Sequence, residues 1–146
     1  MARLRLIIQW TFILILAGVF IYAGSIKMSR PDLLLLDIQS YDLVSYRIAY
    51  MGALLLPSLE IVTGLGLLIR SIRKESSLIL ISIMLVFIAA LLSAWSRGLD
   101  ISCGCFGQSE IKANYPLLVA RDVALILSLS IVLLIDRKNV ASNVVP

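Results

Sequence analysis

The sequence predicts an all-α integral membrane protein, a four-transmembrane-helix bundle with an interfacial helical segment between helices 1 and 2. Of its 146 residues, 60% are hydrophobic and 15% are charged, whereas apolar residues make up roughly 45 to 50% of a soluble domain. The mean hydropathy is +1.01. Four apolar runs each approach the roughly 20 residues that cross a bilayer. We therefore expect a single membrane domain over residues 1–146.

The first span is predicted at residues 4–24, with Arg3 and Arg5 at its start. A secretory signal peptide is the alternative interpretation, because the flank is basic. The apolar stretch is longer than the roughly 7 to 15 residues that such signals use, so a retained helix is favoured.

The segment from residue 25 to residue 47 mixes charged and apolar residues and is too polar to span. Pro31 suits the first turn of a new helix, and the mixed pattern after it favours a helix or helical hairpin at the membrane interface over a plain loop. Tyr41, Tyr46 and Tyr50 suit the headgroup level.

The second span is predicted at residues 48–69 and contains Pro57 and Glu60. Proline permits a kink, and an ionisable residue inside a span is expensive enough to be a functional candidate. A glutamic acid that holds two helices together is the structural alternative. In either case we expect Glu60 to face the interior, with Lys27 or Arg121 as its partner.

The third and fourth spans are predicted at residues 78–95 and 117–135. Arg70, Arg73 and Lys74 form a short basic connection before the third span.

The charges predict the orientation of the bundle. Four spans place both termini and the connection between spans two and three on one side. That side carries Arg3, Arg5, Arg70, Arg73, Lys74, Arg137 and Lys138 against Glu75 and Asp136, a net charge of +5. The remainder is −1, because the whole chain is +4. The positive-inside rule then makes both termini cytoplasmic, in a multi-pass protein of a bacterial-type inner membrane.

The segment between spans three and four, Asp100 to Gly107, holds both cysteines of the chain, Cys103 and Cys105. A disulfide between them closes a tight ring, and Gly104 relaxes the backbone limits on that ring. Such a bridge is easy to reduce, and its short loop removes little entropy from the unfolded chain. On the predicted orientation the pair faces the oxidising periplasm.

Basic residues near this segment favour a reactive thiolate, since a thiol loses its proton more readily beside cations. Lys27, Arg97 and Arg121 are the supporting candidates, and ordinary loop salt bridges are the alternative interpretation for each.

Two further uses of the cysteines stay open. The pair could hold a soft metal ion or gate a small-molecule carrier, but a closed zinc site needs four ligands, so we expect no resident metal. It could also be a structural disulfide in a non-catalytic scaffold. The chain has no histidine, which excludes Ser-His and Cys-His catalysis, and no long basic run that would favour nucleic acid.

Several motifs together resemble the MauE family of membrane proteins, which is related to DoxX-like proteins. These are the four-span plan, Tyr22-Ala23-Gly24 with Lys27, Pro57-x-x-Glu60 with Gly64, and Arg97-Gly98 before the Cys103-Gly104-Cys105-Phe106-Gly107 run. The similarity covers roughly residues 7–135, and the cysteine run is its most specific part.

The resemblance implies that the protein oxidises or reduces the thiols of other proteins. Members of the family are associated with methylamine utilisation and with maturation of the disulfide-rich small subunit of methylamine dehydrogenase. We therefore expect Cys103 and Cys105 to exchange disulfides with a separate periplasmic thioredoxin-like partner or disulfide-rich client. A quinone is a candidate electron carrier, in a pocket formed by Glu60, Trp95, Phe106 and the fourth helix.

The orientation yields a prediction for thiol labelling. After mild reduction, a membrane-impermeant thiol reagent added to the periplasmic face should modify Cys103 and Cys105, because both lie outside the bilayer on that side. Mass spectrometry of the labelled chain measures the result. Labelling from the cytoplasmic face alone would reverse the predicted orientation.

Overall fold

The computed structural model of the chain describes residues 2–99 and 115–142. Within these residues the secondary structure is entirely α-helical. The helices are α1 (Ala2–Ser29), α2 (Pro31–Ser40), α3 (Tyr46–Gly66), α4 (Arg73–Ser96) and α5 (Tyr115–Ser142). The stretches long and apolar enough to cross a membrane are Gln9–Ser29, Tyr46–Gly66, Arg73–Ser96 and Tyr115–Asp136. The predicted fold class, an all-α membrane bundle, is confirmed.

The helices differ from the predicted spans mainly at their polar ends. Helix α1 continues past the predicted end at residue 24 to Ser29, and α4 begins at Arg73 rather than at residue 78. Hydropathy marks only the apolar part of a helix, whereas backbone hydrogen bonding continues through polar turns. Conversely, α3 ends at Gly66 rather than residue 69, because the chain turns there towards α4.

Helix α1 packs mainly against α3, and α4 packs mainly against α5. The Arg73 end of the bundle is where α3 leads into α4, and the Tyr115 end is where α4 finishes and α5 begins.

The interior contains two apolar clusters. The first joins α1, α4 and α5 through Ile13, Leu16, Ala17, Phe20, Leu67, Leu80, Met84, Leu129 and Val132. The second lies near the Tyr115 end and contains Tyr41, Leu91 and Ala94, with Phe87, Ala90, Leu99, Tyr115, Leu118 and Val119 packed around them. Each cluster takes residues from several helices, so helix packing rather than any single helix creates the core.

Large apolar side chains also cover the outside of the bundle. Val62, Val86 and Leu117 are 64%, 72% and 66% exposed. In water such a surface would aggregate, whereas hydrocarbon solvates it, so these side chains suit contact with lipid. The protein is a multi-pass membrane protein on this evidence and on its four spanning helices.

The segment between the first and second spans forms one helix, α2, rather than a hairpin. Pro31 is its first residue, as predicted. Helix α2 packs against α3, where the Ile38 side chain lies beside Gly52. Its position relative to the bilayer stays a prediction.

Gly24 allows α1 and α3 to approach each other closely. A Cβ at this position would lie 2.8 Å from Cγ1 of Ile61 and 2.9 Å from the backbone oxygen of Pro57. The second contact is with backbone, which cannot move aside as a flexible side chain could. Gly18, six residues earlier on the same helix, has nothing within 4 Å of the equivalent position.

This difference predicts opposite effects for two equal substitutions. Gly24→Ala should destabilise the bundle by about 1–3 kcal/mol, the usual cost of overpacking. Gly18→Ala, the matched control, should be neutral or stabilising by up to about 1 kcal/mol, since alanine favours a helix over glycine. Unfolding in a denaturing-detergent titration measures both. Equal effects from the two variants would remove the close approach at Gly24 as an explanation.

Candidate functional site

The cysteine segment lies outside the described residues, so the predictions for Cys103, Gly104 and Cys105 stay predictions. Residues on either side of residues 100–114 are described and meet each other. The Tyr115 hydroxyl donates a hydrogen bond to the Leu99 backbone oxygen. The Trp95 and Tyr115 rings stack, with centroids 6.2 Å apart and planes 4° from parallel. The segment therefore leaves and rejoins the bundle at one place, the Tyr115 end.

The end of α4 is fixed by a glycine-dependent cap. Gly98 has φ +66°, a left-handed conformation that favours glycine. The Gly98 N–H donates to the Trp95 oxygen and the Leu99 N–H donates to the Ala94 oxygen, at 3.1 and 3.2 Å. This pair of bonds is the Schellman motif, which satisfies carbonyls left free at a helix end. The motif directs the chain towards the cysteine segment.

Arg97 ties this end of α4 to α2. Its guanidinium donates hydrogen bonds to the backbone oxygen of Tyr41, which follows α2, and to that of Ser93 at 3.3 Å. The Tyr41 ring is buried and meets Phe87 edge-on, with centroids 6.4 Å apart. Arg97 thus positions the α2 end beside α4.

Glu60 and Lys27 form a buried ion pair between α3 and α1. The Lys27 Nζ donates to both Glu60 carboxylate oxygens, at 2.6 and 2.8 Å. The Glu60 side chain is 3% exposed and that of Lys27 is 15% exposed. The expectation that Glu60 faces the interior and meets a polar partner is confirmed for Lys27.

Helix periodicity explains why both residues point inward. On α1, the buried residues Phe20 and Ala23 precede Lys27 at the three- and four-residue spacing of one helical face. On α3, Ala53 and Pro57 precede Glu60 in the same way. Each helix therefore places one charge in its own inward face.

Arg121 pairs with its neighbour Asp122 instead of Glu60. Its Nε and Nη2 lie 2.9 and 2.8 Å from Oδ1 of Asp122. The Asp122 side chain is 0% exposed, whereas that of Arg121 is 30% exposed. Lys27 also lies close enough to Asp122 for their charges to interact. The structure thus brings Lys27, Glu60, Arg121 and Asp122 into one group, called here the charged cluster.

Along α5, Asp122 of the charged cluster lies between residues of the two apolar clusters. On α5, Leu118 and Val119 lie one turn before Asp122 and pack in the second apolar cluster. Leu125 and Ile126 lie one turn after it and pack against the first. The charged cluster contains two acids and two bases, and each acid bonds to a base, which lowers the cost of burying them together.

Asp122 was not among the predicted site residues, although one sequence signal pointed to it. It occupies the same helical face as Leu118 and Leu125, with apolar residues three and four positions away on either side. An acid within an apolar face of a spanning helix indicates an interior carboxylate rather than a loop salt bridge.

Arg73 is a second interior residue that the sequence did not predict, because its basic neighbours indicate a connection between spans. It is the first residue of α4 and is 1% exposed. Its Nε donates to the Leu67 backbone oxygen at 2.7 Å, and its Nη1 lies 3.4 Å from Oδ1 of Asp136. Gln9 donates to the same Asp136 oxygen at 3.0 Å, and the Trp10 ring centroid lies 5.1 Å from Cζ of Arg73. Arg73 thus joins α1, α4 and α5 at the Arg73 end.

The described residues offer no place where three or more His, Cys, Asp or Glu side chains gather as a metal ion would require. The candidate quinone pocket stays a prediction, because Phe106 lies outside the described residues. Of its other members, Glu60 bonds to Lys27 and Trp95 stacks on Tyr115.

These features define a class: helical multi-pass membrane proteins with a charged cluster between the spanning helices. The particular family follows from comparison with known proteins. The chain belongs to the MauE family, since the family model described as methylamine utilisation protein MauE matches residues 5–135. It is thus a membrane protein associated with methylamine utilisation. No curated protein and no solved structure matches the chain.

The buried ion pair yields a stability prediction. Lys27→Met should cost about 3–5 kcal/mol, because it leaves the Glu60 carboxylate buried without its partner. The double variant Lys27→Met with Glu60→Leu should recover most of that loss, since neither charge then remains. Unfolding in a denaturing-detergent titration measures both.

Lys74→Met is the matched control, because Lys74 is exposed on α4. It should change stability by less than about 0.5 kcal/mol. A double variant as unstable as Lys27→Met would show that lost packing, not an unpaired charge, causes the effect.

Proposed function

We propose that the chain is a membrane thiol-disulfide redox protein whose Cys103 and Cys105 exchange disulfides with a separate periplasmic protein. The partner is thioredoxin-like or a disulfide-rich client. Membership of a family associated with methylamine utilisation supports this proposal, because maturation of methylamine dehydrogenase is the work expected from the sequence resemblance. The Cys-Gly-Cys spacing supports it as well, since a short ring gives a reducible bridge.

The observation that carries the proposal is the contact between Leu99 and Tyr115 at the Tyr115 end. Leu99 and Tyr115, which flank the cysteine segment, are joined by a hydrogen bond and by the nearby Trp95 stack. A redox pair that meets a soluble partner has to lie outside the bilayer, on a segment that is anchored to a rigid base. The four-helix bundle supplies that base.

The charged residues of the bundle suit the same chemistry. Arg97 directly follows α4, and Arg121 lies less than two turns into α5 and is 30% exposed. Positive charge near a thiol favours the thiolate, which is the nucleophile in exchange. Both cations thus favour reactivity at the Tyr115 end.

The exchange needs no external oxidant. A thiolate attacks one sulfur of a disulfide, a mixed disulfide forms, and the other sulfur leaves as a thiolate. The second cysteine of the attacking pair then resolves the mixed disulfide. One protein's dithiol becomes oxidised as the other's disulfide becomes reduced, so electrons balance between the two proteins.

A trapping experiment tests the proposal. Cys103→Ser or Cys105→Ser should accumulate a mixed disulfide with the partner, because the resolving thiol is gone. Both variants should insert normally, since the spans satisfy their backbone bonds internally. Non-reducing electrophoresis and mass spectrometry of material from the native membrane identify the product.

Ser102→Ala is the matched control, because it alters the same segment and keeps both cysteines. It should trap nothing and sustain client maturation. The redox proposal fails if both cysteine variants insert, trap nothing and still sustain maturation. Protection of the thiols by a soft metal ion would favour a carrier instead, and a bridge that resists reduction would favour a scaffold.

A further inference from the structure

We propose that Asp122 is a proton-binding residue in the interior of the bundle. Its side chain is 0% exposed, and its Oδ2 atom has no hydrogen-bond partner among the described residues. A buried carboxylate oxygen without a donor is unusual, because burial of an unsatisfied polar group carries a free-energy cost. The unpartnered Oδ2 is the proposed position of the proton.

The proton is favoured over a larger ligand because Oδ2 is out of contact with solvent. A proton bound to Oδ2 needs no cavity, whereas a larger ligand would require the helices to move apart. A neutral carboxyl group is also far less costly to bury than a carboxylate with one bare oxygen. The geometry therefore favours a carboxyl that gains and loses a proton.

Comparison with Glu60 shows why Asp122 is the proton site. Both side chains are buried acids of the charged cluster, with 3% and 0% exposure. Both oxygens of Glu60 accept hydrogen bonds from Lys27. Asp122 has only its Oδ1 bonded, by Arg121. Among the residues that the structure describes, Oδ2 of Asp122 is thus the carboxylate oxygen of the charged cluster that has no donor.

The charges around Asp122 permit this side chain to gain and lose a proton. Lys27 on α1 lies close enough to Asp122 for their charges to interact, and Glu60 on α3 neutralises Lys27. On α5 itself, Arg121 is 30% exposed, so protonation of Asp122 does not leave a fully buried cation. Helix α4 contributes no charge at this level, because its charged residues all lie in its first turn at the Arg73 end.

Infrared spectroscopy of the full-length chain in lipid bilayers tests this proposal. At neutral pH we expect a carboxylic-acid C=O band that moves to lower frequency when aspartate carries ¹³C in its side-chain carboxyl group. The band should weaken as the pH is raised. In Asp122→Glu the acid group remains but is unlabelled, so the label should no longer shift the band.

Asp136→Glu is the matched control on the same helix, because Asp136 accepts from Gln9 and lies beside Arg73. In this variant the label should still shift the band. Absence of any label-sensitive acid band in the unaltered chain would overturn the proposal whether or not the variants fold. A label shift that persists in Asp122→Glu would overturn it as well.

Discussion

The ion pair between Lys27 and Glu60 is the interaction on which the arrangement of the bundle depends. A spanning helix cannot leave a carboxylate facing lipid without a large free-energy cost. Glu60 therefore has to meet a cation, and both of its oxygens bond to Lys27. This pairing sets the stagger of α1 against α3. Gly24, one turn before Lys27, permits the close backbone approach that the pairing needs.

The same requirement, that a buried charged group meets a partner, also applies elsewhere in the bundle. Glu60 bonds to Lys27, and Asp122 bonds to Arg121. At the Arg73 end, a buried arginine lies between Asp136 and the backbone oxygen of Leu67. Charged groups thus connect α1 with α3, α4 and α5, while the apolar clusters fill the space between them. Polar contacts fix which helices are neighbours, and apolar contacts add packing.

The residues that flank the cysteine segment form a defined platform at the Tyr115 end. The Schellman motif at Gly98, the Arg97 bond to Tyr41 and the stacked rings of Trp95 and Tyr115 lie at one end of the bundle. The cysteine segment starts and finishes on that platform.

The sequence by itself determined the membrane class, the four spans, the helix start at Pro31 and the need of Glu60 for a partner. These properties depend on local composition and on the cost of a charge in hydrocarbon, both of which a single chain segment reveals. Only the tertiary structure decided that Lys27 rather than Arg121 bonds to Glu60, and that Arg73 is an interior residue. Those outcomes depend on the stagger and rotation of helices that are distant in sequence, which hydropathy does not encode.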